Sequence, residues 1–110
     1  MVLHEGSAYL YLTTTGRRTR VPREIEIWFT HRNHRYFVIS ERYENAQWVK
    51  NIRADPRVRW RVGSVTFTGR AHVVDPVAEP ELTEAIQMGS RRKYGWGEGL
   101  IVVLMPDPTD

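Results

Sequence analysis

The sequence predicts a mainly β protein, with about six antiparallel strands and two short helices in one domain covering residues 1–110. Its 110 residues are enough for one domain with a core of its own. Six short segments have strand patterns, and a small antiparallel sheet protects its edges best by closing into a barrel. The chain has no cysteine, which excludes disulfides, thiol nucleophiles and cysteine-bound metals.

The first half of the chain predicts three strands. Residues 8–14 are rich in Tyr, Leu and Thr, as strands are. Residues 24–29 alternate between polar and apolar, which places every second side chain on one face. After a predicted turn at residues 31–34, residues 35–40 form the third strand, so the second and third strands make a hairpin.

Two segments predict helices. Residues 44–54 place apolar side chains on one side at helical spacing, and Pro56 ends that helix. Residues 80–92 begin with a proline, continue with glutamates and end with basic residues, an order that suits the helix dipole. Glycines in residues 95–99 break this helix, and the apolar run 100–105 predicts a buried final strand.

A second hairpin is predicted around Gly63-Ser64, which suits a two-residue turn. Apolar residues alternate with arginines over 57–62, and the alternation continues over 65–72. This register places Trp60 opposite Phe67 on the inner face and the arginines on the outer face.

Charge favours an anionic partner. Lys and Arg number 16 against 13 Asp and Glu, giving a net charge of +3, and only two of the basic residues are lysines. Arginine binds phosphates and carboxylates through a planar fork. Nucleic acid, a phosphorylated cofactor and an acidic substrate all fit. The chain has no apolar run of membrane-spanning length and no basic-then-apolar start, so we expect a cytoplasmic protein.

Familiar catalytic and metal-binding motifs are absent from the sequence. It has no phosphate loop ending in Gly-Lys-Ser/Thr, no His-Glu-x-x-His and no Gly-x-Ser-x-Gly. His31 and His34 lie three apart in a predicted turn, where solvated side chains are expected, so no metal site is predicted. Glu24 and Glu26 share a strand face, and we expect them to pair with the arginine face.

The loop after the first strand is the best candidate for a binding site. Residues 13–23 contain four threonines, a glycine and four arginines. Turn N–H groups, hydroxyls and guanidinium groups together can hold a phosphate. A solvated basic loop explains the same residues equally well.

The chain resembles the deazaflavin-dependent nitroreductase family, whose members are small split β-barrels related to flavin reductases and pyridoxamine-phosphate-oxidase-like proteins. The residues that carry the resemblance form ordered blocks at 12–19 with Pro22-Arg23, 36–40, 48–58 and 59–63, and more loosely at 101–104 with Pro106. The resemblance implies a reductase that transfers a hydride from the deazaflavin coenzyme F-420 to a quinone, enone or nitro compound. An FMN-binding barrel and a non-catalytic flavin carrier are the alternatives.

The resemblance also implies where the coenzyme binds. Arg17, Arg18 and Arg23 would hold its phosphate and acidic tail, with Thr15 and Gly16 contributing hydroxyl and main-chain contacts. One departure affects this loop, because Arg20 stands where the family often has glycine.

The ring system of the coenzyme, by the same resemblance, would lie along Ile39, Ser40 and Glu41. Trp48 would either contact the coenzyme or anchor its helix in the core. The proton that accompanies the hydride would come from Ser40, from Tyr94 or from water.

Two further expectations concern partners. A nucleic-acid module is disfavoured, because Trp60 and Phe67 point away from the arginine face and stacking groups would not share a surface with phosphate-binding groups. Split barrels often pair, so a homodimer is possible.

Overall fold

A computed structural model describes residues 8–108. The strands are β1 (Tyr9–Thr15), β2 (Pro22–Arg32), β3 (Arg35–Ser40), β4 (Arg57–Val62), β5 (Val65–Val73) and β6 (Leu100–Pro106). The helices are α1 (Gln47–Ala54) and α2 (Pro80–Tyr94), and a 3-10 turn covers Tyr43–Asn45. The strands close into an antiparallel barrel in the order β1-β2-β3-β6-β5-β4. The predicted mainly β fold with six antiparallel strands and two helices is therefore confirmed.

The boundaries of two helices differ from the prediction. Helix α1 begins at Gln47 rather than at residue 44, because Tyr43 has a positive φ of 53° and Ala46 is extended. Those two conformations break the helical path and leave only the 3-10 turn before α1. Helix α2 continues two residues beyond 92 and ends at Tyr94, followed by the capping residue Gly95, whose φ of 78° is one that glycine adopts without strain.

The interior holds two main apolar clusters. Inside the barrel, Trp60 and Leu12 are fully buried among the inward residues of the strands. A second cluster lies between α2 and the outer faces of β3 and β6, with Ile86 of the helix packed over Ile101 and Val103. Strands β3 and β6 are thus covered on both faces, which explains why their sequences are continuous apolar runs.

The hairpin of β4 and β5 has the predicted register. Trp60 lies opposite Phe67, and Val58 lies opposite Gly69. The rings of Trp60 and Phe67 stack inside the barrel with centroids 5.5 Å apart. The arginines of β4 point outward and are exposed, as the alternation predicted.

The strands β2 and β3 pair over only part of their length. Their ladder ends at Phe29–Val38. Beyond this pair β2 remains beside β1, whereas Ile39 and Ser40 of β3 continue to pair with β6. The two strands therefore diverge, and the gap between them positions the site described next.

Among residues 8–108, neither helix has the length and apolar character needed to cross a membrane.

Candidate functional site

A cavity of about 670 Å³ opens where β2 and β3 diverge. We call it the aromatic cavity, because three tryptophans from three parts of the chain line it. It is bounded by β2, the end of β3, the start of α1 and the loop after α2. Its lining residues are Glu26, Ile27, Trp28, Ile39, Ser40, Glu41, Arg42, Ala46, Gln47, Trp48 and Trp96.

A second cavity, of about 470 Å³, lies beside the loop that joins β1 to β2. We call it the arginine cavity. Its lining residues are Thr14, Gly16, Arg17, Arg18, Thr19, Arg23, Glu24, Ile25, Gln47, Trp48 and Asn51. Gln47 and Trp48 line both cavities, so the two spaces meet at the first turn of α1.

The loop between β1 and β2 is closed by main-chain hydrogen bonds. The Gly16 N–H donates to the Val21 carbonyl at 2.9 Å, and the Arg20 N–H donates to the Gly16 carbonyl at 2.8 Å. A side chain on Gly16 would place its Cβ 2.9 Å from Thr19 Oγ1, so this position favours glycine. The loop is thus a compact turn whose outer side chains face the arginine cavity.

Arg20 does not line either cavity. Its φ is 62°, in the left-handed region, which explains why glycine suits this position. Its guanidinium group donates to the Asp55 carboxylate at 3.2 Å. Arg57 donates to the same carboxylate, and its hydrogen bonds lower the pKa of Asp55 to about 2. Asp55 therefore links the loop to the end of α1.

Asn51 connects α1 to the loop and to β1. Its side chain is buried, and its Oδ1 accepts hydrogen bonds from the Arg17 N–H at 3.2 Å and from Arg17 Nη1 at 2.9 Å. Its Nδ2 donates to Thr14 Oγ1 at 3.2 Å. Gln47 Oε1 accepts from Arg17 Nη2 at 2.8 Å. Arg17 is thus held against α1 by two side chains that the sequence analysis did not single out.

Arg18 and Arg23 differ from Arg17 in having no protein partner. Both are exposed, both line the arginine cavity, and neither side chain makes a hydrogen bond or an ion pair within the part of the chain that the structure describes. They are the cations in this cavity whose donors are free to bind an anion.

Ile39, Ser40 and Glu41, along which the family resemblance implies that the coenzyme ring lies, all line the aromatic cavity. The Ser40 side chain is buried, and its hydroxyl donates to the Tyr43 carbonyl at 2.8 Å. This hydrogen bond shapes the turn that follows β3. Gly99 lies against the same residue, because a Cβ there would be 2.4 Å from the Ser40 carbonyl oxygen.

Trp48 anchors α1 in the core, which is one of the two roles expected for it, and it also lines both cavities. The side chain is half-buried and packs against the barrel cluster and against the cluster beneath α1. Its remaining surface lines both cavities. One residue thus anchors the helix and forms the wall where the cavities meet.

Tyr94 lies outside both cavity walls. Its hydroxyl accepts a hydrogen bond from the Phe29 N–H at 3.0 Å and lies within hydrogen-bond distance of the carbonyls of Phe29 and Ala8. Burial raises the pKa of this hydroxyl. Its ring stacks on Trp28, which does line the aromatic cavity. The structure therefore joins Tyr94 to the site through Trp28.

Thr15 also lies outside the lining of both cavities, at the end of β1. Its neighbours on either side, Thr14 and Gly16, line the arginine cavity. The cavity is thus lined by the two neighbours of Thr15 and not by Thr15 itself.

The two glutamates of β2 do not pair with the arginine face. Neither Glu24 nor Glu26 forms an ion pair within residues 8–108, and Glu26 lies opposite Tyr11 of β1. The expectation of ion pairs was wrong, because Arg57 bonds to Asp55 and the Arg61 guanidinium lies over the Tyr11 ring at 4.4 Å. In the same described range no group of three or more His, Asp or Glu residues is arranged to hold a metal ion.

Comparisons with known proteins agree with this fold. A family model described as F420H(2)-dependent quinone reductase matches residues 2–95. No curated protein matches the sequence significantly. The heme storage protein HutZ from Vibrio cholerae aligns with a TM-score of 0.80 and 16% identity over 97% of this chain and 87% of its own.

Two other solved structures have the same barrel. A putative pyridoxamine 5'-phosphate oxidase from Listeria innocua aligns with a TM-score of 0.75 and 15% identity, covering 96% of this chain and 89% of its own. A protein described as an F420 reductase aligns with a TM-score of 0.67 and 21% identity, covering 96% of this chain and 91% of its own. At these identities the likeness shows the split-barrel fold.

Proposed function

Because the chain belongs to the F420H(2)-dependent quinone reductase family, and so is an oxidoreductase that uses the deazaflavin coenzyme F-420, we propose that it reduces a quinone bound in the aromatic cavity. The reduced coenzyme supplies the hydride when it is bound. Enones and nitro compounds are the other acceptors that the sequence allows.

The junction of the two cavities at Gln47 and Trp48 carries the proposal. A deazaflavin coenzyme joins a planar ring to a phosphate and an acidic tail. One cavity offers three tryptophans and main-chain groups beyond the end of the β2–β3 ladder, and the other offers three arginines. The aromatic cavity therefore suits the ring of the coenzyme and the arginine cavity suits its anionic tail. The two cavities adjoin each other, as the ring and the tail do in the coenzyme.

We assign the tail to Arg18 and Arg23, whose guanidinium groups have no protein partner in the described residues. Arg17 is already bound to Asn51 and Gln47, so it contributes mainly its position and charge. Gly16 and Thr19 add main-chain and hydroxyl groups at the same wall. Arginine guanidinium groups and the main-chain N–H groups of a turn are together sufficient to bind an anion.

We assign the ring to the wall formed by Ile39, Ser40 and Glu41, opposite Trp28. Holding a donor and an acceptor side by side in a fixed orientation provides much of the rate of a transfer reaction. The Ser40 hydroxyl is engaged with the Tyr43 carbonyl, and the Tyr94 hydroxyl lies outside the cavity. Water is then the proposed source of the proton that completes the hydroquinone, because the aromatic cavity is open to solvent.

The test is coenzyme binding followed by turnover. We expect Arg18→Ala and Arg23→Ala each to weaken coenzyme binding by about 10-fold or more, as the loss of a charge-assisted hydrogen bond predicts. Arg92→Ala is the matched control, because Arg92 is an exposed arginine of α2 outside both cavities. Affinity is measured from the change in deazaflavin fluorescence, and turnover from reduction of a soluble quinone.

Three outcomes would contradict parts of this proposal. Equal affinities for the Arg18, Arg23 and Arg92 variants would remove the tail assignment. Tight coenzyme binding with no reduction of quinones, enones or nitro compounds would make the protein a carrier. A yellow protein with flavin absorbance as isolated would favour FMN as the cofactor.

The homodimer predicted from the sequence stays a prediction, and the molar mass of the protein in solution tests it.

A further inference from the structure

A carboxylate lies at the wall of the aromatic cavity. Glu26 and Trp28 are two residues apart on β2, so their side chains leave the same face of the strand. Both line the cavity. An ionised group therefore stands beside the tryptophan that an aromatic acceptor would contact.

Glu26 lies beside Tyr11 of β1. The two residues are register partners, so their side chains leave the same face of the sheet, and the Glu26 carboxylate raises the pKa of the Tyr11 hydroxyl. The Arg61 guanidinium group lies over the Tyr11 ring at 4.4 Å and donates to the Gly63 carbonyl at 3.4 Å. No ion pair involves Glu26 within residues 8–108. Its carboxylate thus has no direct counter-charge among the described residues.

The two cavities differ in the sign of their charge. The aromatic cavity has the carboxylates of Glu26 and Glu41 against the single guanidinium of Arg42. The arginine cavity has three guanidinium groups against the carboxylate of Glu24. An anionic group entering this site is therefore attracted to one side and repelled from the other.

We propose that Glu26 determines acceptor specificity by charge, so that the aromatic cavity accepts neutral quinones and disfavours quinones that carry an acidic group. This inference rests on the proposed quinone reductase function. The same carboxylate disfavours the acidic tail of the coenzyme in the aromatic cavity. Glu26 thereby also favours one orientation of the coenzyme across the two cavities.

The kinetic test compares a neutral naphthoquinone with its monosulfonate. The measured quantity is the ratio of kcat/KM for the neutral acceptor to kcat/KM for the sulfonate. We expect Glu26→Gln to lower this ratio about fivefold at low salt, the size expected for two charges a few ångströms apart beside water, and less at high salt. Glu26→Asp keeps the charge and should keep most of the discrimination. Glu81→Gln, an exposed glutamate of α2 outside both cavities, should leave the ratio unchanged.

A second readout needs neither coenzyme nor turnover. Tryptophan fluorescence is quenched by iodide, which is an anion, by acrylamide, which is neutral, and by caesium, which is a cation. Trp28 is 46% exposed and lies beside Glu26, so all three quenchers can reach it. We expect Glu26→Gln to increase quenching by iodide, decrease quenching by caesium and leave acrylamide unchanged. Glu81→Gln should change none of the three.

The two readouts separate the failure of this inference from the failure of the proposed function. If wild-type protein reduces quinones and Glu26→Gln leaves the kinetic ratio unchanged, the specificity role is overturned. If no quinone is reduced, the reductase proposal fails and the quenching pattern decides whether Glu26 sets the charge of the cavity. Unchanged iodide and caesium quenching in that case overturns the role of Glu26 as well.

Discussion

The rings of Trp28 and Tyr94 stack with their centroids 4.6 Å apart and their planes 2° from parallel. Tyr94 ends α2, and its hydroxyl bonds to the main chain of β2 at Phe29. One side chain therefore holds the last turn of the helix, the strand and the cavity tryptophan together. This geometry favours a positioning role for Tyr94.

Tyr94→Phe separates that role from proton donation. The variant keeps the ring stack and loses the hydrogen bonds to Phe29, which should lower the free energy of unfolding by about 1–3 kcal/mol. We expect kcat for quinone reduction to change less than threefold. Urea unfolding and steady-state kinetics measure the two quantities. A loss of kcat by orders of magnitude with unchanged stability would instead support Tyr94 as the proton donor.

Asn51→Ala should weaken both the fold and coenzyme binding. The substitution removes the acceptor that holds Arg17 and leaves the buried Thr14 hydroxyl without its donor, at a cost of about 1–3 kcal/mol in stability. Coenzyme affinity should fall because the loop and Arg17 are no longer held against α1. Thr14→Val is the comparison, since it breaks one hydrogen bond of Asn51 and leaves Arg17 held. An Asn51→Ala protein with wild-type coenzyme affinity would show that this network does not position the loop.

Two substitutions at Arg20 separate the cost of its left-handed backbone conformation from the effect of its ion pair with Asp55. Arg20→Gly and Arg20→Ala both lose the contact with the Asp55 carboxylate, so this loss cancels when the two variants are compared. Only glycine relieves the positive φ of this residue, which costs about 1–2 kcal/mol in other residues. The glycine variant should therefore be more stable than the alanine variant by about 1 kcal/mol in urea unfolding. Equal stabilities would mean that the loop does not keep the left-handed conformation in solution.

The lowered pKa of Asp55 predicts how the stability of the protein depends on pH. Hydrogen bonds from Arg57 lower its pKa from 3.8 to about 2 in the folded protein. The stabilisation is therefore complete well above pH 3.8 and is lost as the pH falls toward about 2. Asp55→Asn should be less stable than wild type at neutral pH, with a difference that shrinks across this window. A difference that is the same at both ends of the window would contradict the pairing.

Features encoded in neighbouring residues were predictable from the sequence. The β4–β5 hairpin was predicted in register because residues 57–62 alternate strictly and Gly63-Ser64 fits a two-residue turn. The barrel followed from six strand patterns, because closure is the best way for a small antiparallel sheet to protect its edges. The loop at residues 13–23 was found because its composition is unusual.

Features that depend on distant contacts were not predictable. The end of the β2–β3 ladder at Phe29–Val38 has no local signal, so the aromatic cavity could not be located. Asn51 bonds to residues 34 and 37 positions away, and no pattern in its helix marks it. Glu26 was assigned to the arginine face because alternation gives the face of a side chain but not its partner. The predicted start of α1, residue 44, was too early. A positive φ is usually signalled by glycine in the sequence, but here the residue that adopts it is Tyr43.

A crystal structure with bound coenzyme F-420 tests the central claim most directly. We expect the ring between residues 26–28 of β2 and residues 39–41 at the end of β3, and the phosphate and acidic tail within hydrogen-bond distance of Arg18 and Arg23. A tail bound elsewhere, for example on the exposed arginines of β4, with the arginine cavity empty, would contradict the account.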